Sequence, residues 1–104
     1  MKRLYLSGPM SGLPDSNVPT FNAEAERLRA RGYEVVNPAE NGLPADSAWA
    51  THMRADIAAM MTCDELVYLP GSFNSRGAWI EMELAMNLGM PMTSLNIFLS
   101  ELAA

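Results

Sequence analysis

Short apolar runs alternate along the chain with longer segments in which apolar residues recur every three or four positions. Three of the short runs, Arg3–Ser7, Tyr33–Val36 and Glu65–Leu69, consist mainly of strand-forming residues, and a dipeptide that contains proline follows each of them. Runs of this kind, bounded by turn residues, are typical of β-strands. We expect a fourth strand within Met92–Leu99, where two polar residues interrupt the apolar pattern.

The longer segments have the periodicity of amphipathic helices. In the first, from about position 20 to Gly32, Phe21, Ala25 and Leu28 fall on one helical face. Two further helices are predicted over about 48–62 and 75–87. Strands that alternate with helices favour a parallel sheet with right-handed crossovers. The sequence therefore predicts one small three-layer α/β domain over residues 1–104, with a parallel sheet of four or five strands.

The composition agrees with a single globular domain. The 104 residues are 49% hydrophobic and 18% charged, which is enough apolar material for one core and unlike a disordered chain. There are 7 Lys and Arg residues against 12 Asp and Glu residues, and the resulting net charge of −5 repels a nucleic-acid backbone. We therefore expect no polynucleotide partner.

The sequence contains few features that indicate a cellular compartment. Cys63 is the only cysteine, which excludes an internal disulfide and a cysteine-rich zinc site. No apolar stretch approaches the roughly 18 residues of a membrane span, and the first residues lack the apolar core of a signal peptide. We expect a cytoplasmic protein with no cleaved leader and no membrane partner.

Three loops that follow predicted strands are candidates for ligand binding, because ligands of parallel α/β sheets bind beyond the carboxyl ends of the strands. These loops are Gly8–Gly12, Asn37-Pro38 and Pro70–Gly77. The first of them, Gly8-Pro9-Met10-Ser11-Gly12, contains small residues that let backbone N–H groups approach a ligand. It matches neither the dinucleotide nor the Walker fingerprint, and a plain strand-ending turn is the alternative.

Ser75-Arg76-Gly77 opens the third predicted helix. The unpaired N–H groups and the dipole at a helix start attract an anion, and a monophosphate would suit this position. The alternative is that Ser75 is an ordinary N-cap and that Arg76 is a solvated charge.

Two carboxylates border the apolar faces of their helices. Glu81 is followed at helical spacing by Leu84 and Ala85. A partly desolvated but ionised carboxylate of this kind is suited to nucleophilic chemistry. Asp56 borders the apolar stripe of the preceding helix, so the two acids are candidates for separate nucleophile and acid/base roles at one carbon centre.

Both acids also have a structural interpretation. Glu81 fits equally well as a charge at the rim where its helix leaves the core. Asp56 fits equally well as a salt-bridge partner of Arg54, of Arg76 or of a neighbouring chain. His52 lies one turn before Asp56 and could join the site, but a lone histidine at a helix edge is more often a surface residue.

The chain has more large apolar side chains than one small core uses. The chain has nine methionines, together with Trp49 and Trp79, which lie at exposed positions of their predicted helices. Such a surface favours a subunit interface.

Five short motifs are spread in order through almost the whole chain. They are Leu4-Tyr5-Leu6-Ser7-Gly8-Pro9-Met10, Arg54-Ala55-Asp56-Ile57, Cys63-Asp64-Glu65-Leu66-Val67, Ser75-Arg76-Gly77-Ala78-Trp79-Ile80-Glu81-Met82-Glu83-Leu84-Ala85 and Gly89-Met90-Pro91-Met92. Together, in this order and spacing, they resemble the nucleoside 2-deoxyribosyltransferase superfamily. Within it, the chain is most similar to the short deoxyribosyltransferase-like domains of phage and bacterial genomes.

The resemblance implies a flavodoxin-like (Rossmann-like) fold, a homo-oligomer built from dimers, and cleavage of the N-glycosidic bond of a small-molecule nucleoside or nucleotide. Glu81 matches the family's nucleophile, which attacks C1′ of the sugar and forms a covalent intermediate. Asp56 matches the aspartate that handles the proton on the leaving base. The turn Gly8–Gly12 matches the loop that lines the sugar and base pocket, to which Tyr5 and Asn37 are also expected to contribute. No metal and no other cofactor is implied.

One position departs from the nucleoside transferases of the superfamily. Those enzymes place an acidic residue six positions before the nucleophile to hold the 5′-hydroxyl, whereas this chain has Ser75 there. A serine at a helix start favours phosphate, which a carboxylate would repel. The pattern is thus more similar to the superfamily's nucleotide hydrolases, and Ser11, Arg76 and Gly77 are further candidate contacts. The segment after Met92 matches the family poorly.

These observations favour an N-glycosidase of 2′-deoxynucleoside 5′-monophosphates or a closely related deoxyribosyltransferase. Two alternatives belong to other classes. One is a catalytically silent module that binds or senses a nucleotide, and the other is a protein-interaction domain that uses the Met- and Trp-rich surface.

Overall fold

The computed structural model describes residues 2–103 and contains a parallel sheet of four strands. The strands are β1 (Arg3–Ser7), β2 (Glu34–Val36), β3 (Glu65–Tyr68) and β4 (Met92–Ser94). They lie in the order β2-β1-β3-β4, and each neighbouring pair is parallel. The prediction of a small α/β domain with a parallel sheet of four or five strands is confirmed.

Four α-helices accompany the strands: α1 (Val18–Arg29), α2 (Trp49–Met60), α3 (Arg76–Asn87) and α4 (Leu95–Ala103). The first three agree with the helices that the apolar periodicity predicts, to within two residues at most ends. Among residues 2–103, no helix is both long enough and apolar enough to cross a membrane.

The sheet separates two apolar cores, which gives the domain its three layers. Leu4 and Leu6 of β1 belong to the core that α1 and α4 cover, whereas Tyr5 belongs to the core that α2 and α3 cover. Successive side chains of a strand lie on opposite faces. Ser7 therefore shares the α2–α3 face with Tyr5, two residues before it.

The prediction of a strand over Met92–Leu99 is correct only for its first three residues. β4 ends at Ser94, whose Oγ accepts a hydrogen bond from the Ile97 N–H group at 3.3 Å, as an N-cap oxygen does. Leu95 and Phe98 are then buried against the first core, three residues apart on one helical face. Burial of these two side chains on one helical face outweighs the strand-forming character of the segment.

The direction of chain progression across the sheet changes at β1, since β2 lies on one side of it and β3 on the other. The carboxyl ends of the strands form a crevice at such a point. Gly8, directly after β1, lies against Leu69, directly after β3: a Cβ at residue 8 would be 2.7 Å from Leu69 Cδ1 and 3.0 Å from Leu69 Cβ. Only glycine allows the two strand ends to approach this closely.

Candidate active site

A cavity of about 570 Å³ opens at the carboxyl edge of the sheet. Its walls come from the loops after β1 and β2, from α2 and from the first turns of α3. Gly8, Asp56 and Glu81, which lie far apart in the sequence, all line it. The crevice at the change of strand order thus brings together one turn and both of the carboxylates that the sequence singles out.

Glu81 is held on both oxygens by hydroxyl groups of β1. The Tyr5 phenol donates to Oε2 at 2.7 Å, and the Ser7 hydroxyl donates to Oε1 at 2.8 Å. Only 5% of Glu81 is exposed, and Tyr5 and Ser7 are fully buried. The two hydroxyls fix the orientation of the carboxylate, and each oxygen keeps a lone pair that these two bonds do not use.

Burial raises the pKa of the Glu81 carboxyl to about 7. The hydrogen bonds from Tyr5 and Ser7 oppose this increase because they stabilise the charged form, and the nearby Asp56 charge adds to it. The Tyr5 pKa lies well above its usual value, mainly because of burial and then because of the Glu81 charge. The phenol therefore stays a hydrogen-bond donor, and Glu81 is the group that exchanges a proton near neutral pH.

Asp56 is the second buried acid of the cavity, with 7% of the residue exposed. Burial raises the pKa of its carboxyl, while a hydrogen bond from Asn41 acts in the opposite direction, as does a positive charge on His52 when that ring is protonated. The Nδ2 group of Asn41 donates to Asp56 Oδ1 at 3.1 Å. Residues 2–103 contain no salt bridge of Asp56 to Arg54 or Arg76, the two partners within the chain considered for this residue.

Asn41 is a site residue that the sequence does not reveal, and His52 is one that the sequence leaves open. Both line the cavity, and Asn41 Nδ2 lies 3.0 Å from His52 Nδ1. The position of His52 one turn before Asp56 is a signal for its place in the cavity, whereas the loop that carries Asn41 offers none. Trp49 and Met53 of α2 line the same cavity.

The remaining predicted substrate contacts fall into two groups. Met10, Ser11, Ser75 and Gly77 line the cavity together with Gly8. Others lie outside its lining: Pro9 and Arg76 border an adjacent groove, Gly12 lines neither cavity, and Asn37 is buried with its amide bonded to Asn22 and to the Ala39 N–H group. The cavity is therefore lined by only some of the loop residues that the sequence predicts as substrate contacts.

Ser75 combines the two roles considered for it. Its Oγ accepts a hydrogen bond from the Ala78 N–H group at 3.3 Å, which makes it the N-cap of α3, and it also lines the cavity. Arg76 stacks on Trp49, with the guanidinium carbon 4.5 Å from the ring centre. This stacking fixes a cation beside the start of the helix.

The site has no cluster of metal-binding groups. Across residues 2–103, no set of three or more His, Cys, Asp or Glu side chains is arranged to hold a metal ion. The polar side chains that line the cavity include two carboxylates, an imidazole, an amide and several hydroxyl groups.

Comparison with known proteins agrees with this fold. A family model described as a domain of unknown function (DUF4406) matches residues 2–94. Among solved structures, the chain is similar to a 2-deoxyribosyltransferase from the psychrotolerant bacterium Bacillus psychrosaccharolyticus, with a TM-score of 0.71, 19% identity and coverage of 88% of this chain and 70% of that one. No curated protein matches the sequence significantly. The deoxyribosyltransferase-like fold that the sequence motifs imply is therefore confirmed.

The raised pKa of Glu81 predicts that Glu81→Gln stabilises the protein at alkaline pH. Because the folded-state pKa of about 7 exceeds the ordinary 4.5, the folded state binds the proton more tightly. Its contribution to stability is complete below pH 4.5 and is lost as the pH rises through 7. Glutamine avoids the buried charge, so the variant should exceed the wild type by up to about 3 kcal/mol at pH 8, and the difference should shrink toward pH 4.5.

Denaturant unfolding of both proteins at pH 5 and pH 8 measures this difference. A variant that is less stable than the wild type by the same amount at both pH values would show that burial of the charge is not what the substitution relieves.

Proposed function

The chain belongs to the family described as a domain of unknown function (DUF4406), and we propose that it cleaves the N-glycosidic bond of a nucleoside or nucleotide. The observation that carries the proposal is the buried Glu81 carboxylate, fixed by two hydroxyls at the edge of a cavity that also contains a second acid. Cleavage of this bond passes through a transition state with positive charge on the sugar. A carboxylate beside C1′ stabilises that charge, and a proton donor assists departure of the base.

In the first step of the proposed reaction, one Glu81 oxygen attacks C1′ while the bond from C1′ to the base nitrogen breaks. The electron pair of that bond leaves with the base, which takes a proton from the Asp56 carboxylic acid. The products are a glycosyl ester of Glu81, the free base and the Asp56 carboxylate. The step needs an ionised Glu81 and a proton on Asp56. Burial raises the pKa of Glu81 to about 7, and the hydroxyls of Tyr5 and Ser7 oppose that increase by stabilising the ionised form. The reactive state is therefore the one in which Glu81 has lost its proton while Asp56 holds one.

In the second step, the Asp56 carboxylate accepts a proton from water as the water oxygen attacks C1′. The ester bond from C1′ to Glu81 breaks, and both acids return to their initial state. A second base in the place of water would give transfer to that base instead of hydrolysis. We favour hydrolysis because the sequence motifs are more similar to those of the nucleotide hydrolases.

The fold agrees with this assignment but does not determine the substrate. The similar structure from Bacillus psychrosaccharolyticus is that of a 2-deoxyribosyltransferase, and its TM-score of 0.71 describes a shared architecture. The identity of 19% is too low to carry a substrate from one chain to the other. The residues of the cavity provide the chemical argument.

A 5′-monophosphate is the proposed form of the substrate. Ser75 caps α3 at the rim of the cavity, where the helix dipole attracts an anion. Ser11 lines the cavity with it, and Arg76 provides a positive charge beside the helix start. A phosphate at this end would place the sugar between the helix start and Glu81, which lies six residues further along α3.

The proposed nucleophile predicts that Glu81→Gln abolishes release of the base. Incubation with a panel of deoxynucleoside monophosphates, followed by chromatography of the free bases, should show turnover by the wild type and a decrease of roughly 1000-fold or more in the variant, since a nucleophile has no substitute within its site.

Glu83→Gln is the matched control, because Glu83 is exposed on the same helix. Its activity should equal that of the wild type. Retention of activity in Glu81→Gln would remove the assigned nucleophile. Tight nucleotide binding without turnover by the wild type would instead identify a silent binding module.

The proposed phosphate site predicts that Ser75→Asp changes the preference of the protein. Aspartate is as good an N-cap as serine, so α3 is expected to form normally. Its charge repels a phosphate, and the KM for a deoxynucleoside monophosphate should rise by about tenfold or more while that for the corresponding nucleoside does not. An unchanged KM for the monophosphate would place the phosphate elsewhere.

A further inference from the structure

One amide group links the second acid of the cavity to the histidine. Asn41 Nδ2 donates to Asp56 Oδ1 at 3.1 Å and lies 3.0 Å from His52 Nδ1. All three residues line the cavity, and Asn41 is the one that is contributed by a loop, after β2, whereas the other two belong to α2. Asn41 thus joins the loop to the helix at the point where the leaving base is expected.

The backbone determines which end of the Asn41 amide is the nitrogen. The Leu43 N–H group donates to Asn41 Oδ1 at 3.0 Å. A backbone N–H group is only a donor, so its partner must be the amide oxygen. The two hydrogens of Nδ2 are therefore directed to Asp56 and His52, and the reversed amide would place an NH₂ group against a donor.

This orientation also determines the tautomer of His52. Because Nδ2 is a donor, His52 Nδ1 must accept, and a neutral imidazole that accepts at Nδ1 carries its hydrogen on Nε2. Any hydrogen bond that the neutral ring gives to a molecule in the cavity then comes from Nε2.

We propose that Asn41 is a positioning residue, which holds Asp56 through Oδ1 and His52 through Nδ1 and so leaves Asp56 Oδ2 and the His52 Nε2–H group for the substrate. The inference rests on the proposed function for its chemical consequence. Oδ2 delivers the proton to the leaving base, and Nε2–H binds a second acceptor of that base, a ring nitrogen or a carbonyl oxygen. Asn41 acts through these two groups and takes no part in the transfer itself.

Asn41→Asp separates this role from a structural one. A carboxylate keeps the oxygen that accepts from Leu43 N–H, so the turn of the loop is retained. Its ionised form has no hydrogens to donate, so the bond to Asp56 is lost. The contact with His52 is reversed, because the negative charge favours a hydrogen on His52 Nδ1, which then donates to it. Asn96→Asp introduces the same charge at an exposed position of α4, outside the cavity lining, and serves as the control.

The state of His52 can be measured without any substrate, because the chain contains a single histidine. Nitrogen NMR of the neutral imidazole should show the hydrogen on Nε2 in the wild type and in Asn96→Asp. In Asn41→Asp, Nδ1 should become protonated. A wild-type hydrogen on Nδ1, or the same tautomer in all three proteins, would overturn the inference.

Kinetics provides the second readout. With a cleaved nucleotide, kcat of Asn41→Asp should fall by roughly 10- to 100-fold relative to the wild type, with a smaller change in KM, and Asn96→Asp should keep both values. An unchanged kcat would overturn the assignment even if the tautomer responds. If the wild type cleaves no nucleotide, the proposed function fails, and the NMR result alone decides whether Asn41 orients the two groups.

Discussion

The hydrogen bonds from Tyr5 and Ser7 to the buried Glu81 carboxylate are the interaction on which the site depends. They join the central strand to α3, at 2.7 Å and 2.8 Å, across the layer that separates sheet from helix. Burial of a carboxylate costs free energy unless its oxygens are satisfied. The two hydroxyls each donate a hydrogen bond to one of these oxygens, and the pKa of the carboxyl remains close to neutral pH. The same contacts therefore stabilise the fold and, in the proposed function, orient the carboxylate for attack on the sugar.

Two other residues, Gly8 and Asp56, shape the cavity around this carboxylate. Gly8 lets the ends of β1 and β3 approach each other, which keeps the strand end beside the cavity. Asp56 reaches the cavity from α2, and its charge is one of the influences on the Glu81 pKa. Two acids with raised pKa values in one cavity are typical of a site that transfers protons.

The sequence predicts much of the fold because the relevant signals are local. The apolar periodicity of Phe21, Ala25 and Leu28 identifies α1, and the proline-containing turns mark the ends of three strands. It also singles out Glu81 as a charge on an apolar face, although it leaves open whether that face lies at the rim or in the interior. The packing of α3 against β1 places the Glu81 side chain in the interior.

What the sequence does not reveal depends on contacts between distant segments. Ser7 and Glu81 are 74 residues apart, and Asn41 and Asp56 are 15 apart, so no spacing rule connects them. The sequence does not predict the helix after β4 for a related reason. Its two buried residues stabilise a helix only because they pack into a core that other elements form. The loop that carries Asn37 lies at the expected edge of the sheet, but the Asn37 amide bonds within the fold, to Asn22 and to the Ala39 N–H group.

The central claim is that Glu81 bonds covalently to the sugar, and a trapped intermediate tests it most directly. A 2′-fluoro substituent withdraws electrons from C1′ and slows both steps of the reaction, so a deoxynucleoside monophosphate that carries it should accumulate on the protein. Mass spectrometry of the digested protein should then find the fluorinated sugar phosphate on the peptide that contains Glu81. Release of the base with that peptide unmodified would contradict the account.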